Sequence, residues 1–176
     1  MSWFEFGTEI IAIEDSDFVG KAESAATIGE VTFRSLQEFA DVVLQELGER
    51  KISVLHVQVH GNNDGIDFGY DTLCLDTFDV CRAQLDRLRS KFISNGWVNL
   101  RACNIGNNTA LMHRLRKLWN VGVVAGMGGQ INVVEANSGW YRIVYPNGTE
   151  ALSWEVPRWV NYDLGRRLVG NSLSKL

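Results

Sequence analysis

Between residues 52 and 126 the chain alternates short apolar runs with stretches of helical period, and this alternation limits the fold more than any other feature of the sequence. Ile52-Ser53-Val54-Leu55-His56-Val57-Gln58-Val59 is rich in β-branched residues and too short for a helix, so it reads as a largely buried strand that ends at His60-Gly61. Trp97 to Cys103 reads as a second strand and Val121 to Gly126 as a third. The first connection holds a helix from near Asp76 to Asn95-Gly96, with Phe78, Cys81, Leu85, Leu88 and Phe92 inward. The second holds a helix capped by Asn108, with Leu111, Leu115 and Leu118 inward. A strand, helix, strand, helix, strand order implies an α/β fold with a mainly parallel sheet, right-handed crossovers and helices on its faces.

An earlier helix opens at the capping box Ser35-Leu36-Gln37-Glu38, carries Leu36, Phe39, Val43 and Leu47 on one side and stops at Gly48. Residues 61–72, with three Gly and three Asp, have the composition of a turn-rich loop after the first strand. Toward the C-terminus, Ile131 to Glu135 and Trp140 to Tyr145 suggest a hairpin, with another turn at Pro146-Asn147-Gly148, and a helix from Tyr162 is expected to cover one side. No repeat or linker breaks the chain. Its 176 residues fit a single domain, 1–176, and a domain of this size buries roughly 70% of its unfolded surface.

Charge narrows the partners. The net charge of -4, with Lys and Arg scattered, lacks the basic stripe that phosphate neutralisation demands, which argues against nucleic acid. The apolar runs near the N-terminus are too short for a signal peptide or a membrane span, so the expectation is a cytoplasmic protein that does not bind membranes, with export by a specialised system left open. Cys74, Cys81 and Cys103 form no C-x-x-C pair and cannot all be matched in disulfides, which fits reduced thiols.

In open parallel sheets ligands bind at the carboxyl ends of the strands, where both His60 and Cys103 fall. Neighbouring strands about 4.8 Å apart would let the two side chains meet. A thiol becomes a nucleophile when a base stands beside it, and the helix that begins near Asn108 adds a field favouring thiolate. Gly61 lets a substrate approach the backbone closely, and the N–H groups of Gly61 and Cys103 are the candidates for an oxyanion hole.

An apolar strand ending in His-Gly (Val54 to Gly61), a helix-bearing span of about forty residues, and a strand ending in Ala-Cys-x-x-Gly (Val98 to Gly106) together resemble the caspase-like cysteine peptidases. That group includes caspases, metacaspases, legumains, gingipains and many bacterial domains. The resemblance covers roughly residues 50–126. It implies a three-layer α/β/α domain that hydrolyses polypeptide substrates with His60 as general base or acid and Cys103 as nucleophile, needing neither metal nor organic cofactor. In that group the residue two before the nucleophile lines the pocket for the side chain preceding the cut. Here it is Arg101, which implies a preference for Asp or Glu through charge-assisted pairing.

Blander readings stand beside these. His56 and His60 lie about 13 Å apart on a strand, too far for one metal ion, so His56 reads as a packed or hydrogen-bonded strand residue. His113 reads as solvated, Cys74 as a loop residue and Cys81 as part of a helix core face. Gly126-Met127-Gly128-Gly129 lacks the third glycine of a dinucleotide loop, because position 131 is Ile. It reads as a turn after the third strand, with Gly126 and Met127 lining a substrate cleft. Asp64 is a candidate substrate-binding residue, and Asp64 or Asp67 could orient His60, against the alternative of solvated turn positions. Two other functions stay open: a caspase-like module that regulates or binds without cutting, and another thiol-dependent acyl hydrolase or transferase. The oligomeric state is open too.

Overall fold

A computed structural model of the chain describes residues 7–14, 30–129 and 140–152. Among these, seven strands form one mixed sheet: β1 (Thr8–Glu14), β2 (Glu30–Phe33), β3 (Ile52–Gln58), β7 (Phe92–Arg101), β8 (Val123–Met127), β9 (Tyr141–Val144) and β10 (Glu150–Leu152), in the spatial order β10-β9-β8-β7-β3-β1-β2. The five strands from β2 to β8 run parallel, and β9 and β10 join antiparallel at one edge. The α/β class and its mainly parallel sheet are thus as the alternation implied.

Three described helices connect these strands: α1 (Leu36–Leu47), α2 (Phe78–Asp86) and α3 (Thr109–Trp119). The steps β2 to β3, β3 to β7 and β7 to β8 all move the same way across the sheet, so right-handed crossovers lay all three helices on one face. Leu36, Phe39 and Val43 of α1, Phe78 and Leu85 of α2, and Leu111 and Leu115 of α3 share one core with Leu55, Val57, Val98 and Leu100 of the central strands. The Trp119 indole closes the α2–α3 contact by donating to Leu85 O at 2.8 Å. The helix expected from Tyr162 and the strand expected over 131–135 lie outside the described residues.

Helix ends follow local chemistry. Ser35 Oγ accepts from Glu38 N at 3.1 Å, while the Glu38 carboxylate reaches one residue further back than a capping box requires, to Arg34 N at 2.8 Å. Gly48 ends α1 at φ 56°, its N–H donating to Leu44 O. Asn108 caps α3 by accepting from Leu111 N at 3.1 Å.

The structure corrects the sequence reading in two places and extends it in a third. First, α2 stops at Asp86 instead of running to Asn95. Leu88 stays buried in a turn, a 3-10 segment follows at Arg89–Lys91, and Phe92 pairs with Ile52 at the start of β7. Three-residue steps in a 3-10 turn keep apolar side chains inward as a helix would, so the spacing alone did not separate the two. Second, residues 60–74 form a small antiparallel sheet rather than a loop, from β4 (His60–Gly61), β5 (Gly65–Phe68) and β6 (Asp71–Cys74). Ile66, Phe68 and Leu73 seat it on the main core, where the Phe68 ring lies 5.0 Å from Phe39 and 5.7 Å from Phe33. Third, Tyr141–Val144 pairs with β8 and, through the turn at Pro146-Asn147-Gly148, with β10. The expected partner strand over 131–135 lies outside the described residues, and the described hairpin is β9–β10.

Candidate active site

The two central strands set the geometry. β3 and β7 are parallel neighbours in which Gln58 stands opposite Arg101, and Val59 N donates to Arg101 O at 3.3 Å. The register ends at the Gln58–Arg101 pair, and His60 and Cys103 each lie two residues beyond it, past the carboxyl ends of β3 and β7. His60 is exposed, while Gly61, Arg101 and Cys103 are half-buried.

The small sheet fixes His60 from its other side. Asn62 N donates to Gly65 O at 3.0 Å, and Asn62 Oδ1 accepts from Asp64 N and Gly65 N, which closes a tight turn. Antiparallel pairs alternate between hydrogen-bonded and open, so with Asn62 and Gly65 bonded the Gly61–Ile66 pair is open and the Gly61 N–H points away from β5. That orientation suits an oxyanion donor. Gly61 is also where the two strand ends touch: a Cβ placed there would stand 2.8 Å from Ala102 Cβ and 3.4 Å from Cys103 O.

Beyond Cys103 the chain turns sharply at Asn104, whose φ of 60° is left-handed, and its N–H donates to Gly129 O at 2.9 Å. Gly106 follows with its Cα against Gly126 O, where a Cβ would stand 2.4 Å away, and Gly106 O accepts from Arg142 Nε at 3.0 Å. Two asparagines then join this loop to the His60 hairpin. Asn107 Nδ2 donates to Asn63 Oδ1 at 3.0 Å and Asn108 Nδ2 to Asp64 O at 2.9 Å. Sequence reasoning found Asn108 as a cap but missed this second role and missed Asn63 and Asn107. The runs Asn62-Asn63 and Asn107-Asn108, flanking the two strand ends, were the available signal.

The remaining predicted site residues fall as follows. Asp64 is exposed, and it contributes to the hairpin through its backbone, the N–H donating to Asn62 Oδ1 and the carbonyl accepting from Asn108 Nδ2. Asp67 lies directly across the small sheet from His60, and its carboxylate accepts from Thr72 Oγ1 at 2.9 Å. Gly126 and Met127 are inside β8 instead of in a turn after it: Gly126 packs against Gly106 and Met112, and Met127 is buried with Tyr141 and Ile143.

Other reactive groups stand apart from this site. His56 is buried, with Nε2 2.7 Å from Glu9 Oε1 and Nδ1 3.1 Å from Asn99 Nδ2, so it is a hydrogen-bonded strand residue as expected. With Asn99 donating to Nδ1, the ring carries its proton on Nε2 and donates it to Glu9. His113 is not simply solvated: it is half-buried, 3.3 Å from Glu150. Cys74 lies on β6, where hydrogen bonding from the Thr77 hydroxyl and then the Thr77 N–H lowers its thiol below the ordinary range. Burial pushes the Cys81 thiol up. None of Cys74, Cys81 and Cys103 is in a disulfide.

Among the described residues no helix is long and apolar enough to cross a membrane. The fold and site together define an α/β protein with a histidine and a cysteine at the carboxyl ends of adjacent parallel strands. No protein-family model matches the chain, and no curated protein matches it in sequence.

Proposed function

We propose that this chain is a cysteine peptidase of the caspase-like type, with a three-layer α/β/α domain, in which Cys103 attacks the scissile carbonyl and His60 transfers the protons. The observation that supports the reading is that β3 and β7 are adjacent parallel strands paired up to Gln58–Arg101, two residues short of His60 and Cys103, with Gly61 close against Ala102. His60 takes the thiol proton as Sγ attacks the carbonyl carbon. The oxyanion is met by the Gly61 and Cys103 N–H groups, and His60 returns the proton to the leaving amine. Water then attacks the thioester, losing its proton to His60, and releases the acid with the thiol restored.

Arg101 supplies a positive charge beside the nucleophile, which supports preference for an acidic residue before the cut. The test is peptide-library profiling of the native chain beside Cys103→Ala and His60→Ala. Cleavage after Asp or Glu, reduced by several orders of magnitude in both variants, is the expected result. Cleavage after Lys, Arg or small apolar residues with acids rejected would refute the specificity. Hydrolysis that survives in Cys103→Ala would refute the mechanism.

A further inference from the structure

We propose that Cys74 and Cys81 form a reversible redox couple, a disulfide that closes between the small sheet and α2 when the chain meets a hydroperoxide. The couple goes beyond the peptidase reading and does not depend on it. β6 is one edge of the small sheet and β4, with His60, is the opposite edge, so the pair stands apart from the His60 hairpin.

The geometry turns on one hydroxyl. Cys74 closes β6, the turn Leu75-Asp76-Thr77 follows, and Cys81 lies one helical turn beyond Thr77, its N–H donating to Thr77 O at 3.0 Å. Thr77 Oγ1 accepts from Cys74 N at 2.9 Å and stands 3.4 Å from Cys74 Sγ. The Cys81 thiol hydrogen-bonds to the same hydroxyl. Two thiols therefore converge on one oxygen. In the turn that joins them Leu75 and Asp76 are exposed, and an exposed turn yields more readily than a strand or helix, which lets the sulfurs close to the roughly 2.05 Å of a disulfide.

The two thiols differ as the members of such a couple must. Cys74 is half-buried, and the Thr77 hydroxyl, then the N–H groups of Thr77 and Asp76, favour its thiolate. Cys81 is buried, and desolvation favours its protonated form. An accessible thiolate beside a shielded resolving thiol is the arrangement of peroxide-sensing cysteines. The Cys74 thiolate attacks one oxygen of the hydroperoxide and the O–O bond breaks. Sulfur is oxidised to the sulfenic acid, and the other oxygen leaves and takes up a proton, as water or an alcohol. Cys81 sulfur then attacks the sulfenic sulfur. The S–S bond forms, the S–O bond breaks, and the departing hydroxide takes the Cys81 proton as a second water. Two thiols have given two electrons to one hydroperoxide.

The test uses the native chain and hydrogen peroxide. Trypsin leaves Cys74 and Cys81 together in residues 52–82, which contain no internal Lys or Arg, and puts Cys103 in residues 102–114. Without reductant, the 52–82 peptide should lose two hydrogens, both of its cysteines should become closed to iodoacetamide, and dithiothreitol should restore them. Cys81→Ala should stop at the sulfenic acid, captured on Cys74 by dimedone, and Cys74→Ala should leave Cys81 reduced. The native peptide decides the matter even where a variant fails to fold. Retention of both thiols at peroxide doses that fully oxidise added glutathione would overturn the proposal. So would oxidation of Cys74 to sulfinic or sulfonic acid with no disulfide, or pairing of Cys74 or Cys81 with Cys103 or with a second chain. None of these results alters the peptidase reading, which labelling at Cys103 tests separately.

Discussion

Gly61 and Ala102 approach so closely that a Cβ on Gly61 would stand 2.8 Å from Ala102 Cβ, and this contact holds the two strand ends that carry His60 and Cys103 side by side. Ala102 is fully buried and its Cβ is fixed to the backbone, so nothing there gives way easily.

Gly61→Ala should therefore force the strand ends apart. Overpacking of this kind costs about 1–3 kcal/mol, which urea unfolding will register. The same substitution should slow alkylation of Cys103 by a peptide-like electrophile, while Gly129→Ala, where a Cβ meets nothing within 4 Å, should leave stability nearly unchanged.

Asn108 has two separable roles, as cap of α3 and as donor to Asp64 O. Asn108→Ala loses both, and a lost cap alone costs about 1 kcal/mol. Asn108→Asp keeps the cap but loses the donor, so its stability should lie nearer the parent. Both should raise amide hydrogen exchange at Asp64 and Gly65, and unchanged exchange in Asn108→Asp would show that the bond to Asp64 does not hold the hairpin.

Asn99→Leu should leave His56 Nδ1 without the amide that now faces it at 3.1 Å. Stranding a buried acceptor costs about 1–3 kcal/mol. Gln58, on the same strand face as His56, has its Nε2 buried without a partner among the described residues, so Gln58→Leu strands nothing and makes a useful contrast. Urea unfolding should show Asn99→Leu destabilised and Gln58→Leu not.

The free thiols should titrate apart. Because hydrogen bonding from Thr77 favours the Cys74 thiolate, that thiolate forms at lower pH than an ordinary thiol, and alkylation of Cys74 should rise at lower pH than that of Cys81, whose burial favours the protonated form. The Thr77 hydroxyl also donates to Thr72 O at 2.6 Å, so its single proton is shared. Thr77→Val should move the Cys74 profile to higher pH. Mass spectrometry of iodoacetamide-treated protein across pH measures both profiles, and coincident curves for Cys74 and Cys81 would contradict the assignment.

The parallel core was legible because β-branched runs such as Ile52 to Val59 and capped helices such as that at Asn108 obey local rules. The small sheet was not, although Asp64-Gly65 is a hairpin signal and Ile66 and Phe68 alternate with Asp67. Three glycines and three aspartates outweighed that pattern. β1 was missed because Ile10 to Ile13 is buried on both faces and shows no alternation. The extent of α2 was misread because sheet pairing at Phe92 overrides the helical spacing. At the site, His60, Gly61 and Cys103 were legible as residues at strand ends. The pairing of Gln58 with Arg101 and the asparagine links between loops depend on register, which no single stretch of sequence encodes.

The most direct test of the central claim is labelling of the native chain by a peptidyl thiol-reactive probe, read residue by residue, beside His60→Ala. Cys103 should take the label ahead of Cys74 and Cys81, and His60→Ala should slow it by about 100-fold or more, the range for loss of a general base. Label on Cys74 or Cys81 with Cys103 inert, and an unchanged pattern in His60→Ala, would contradict the claim.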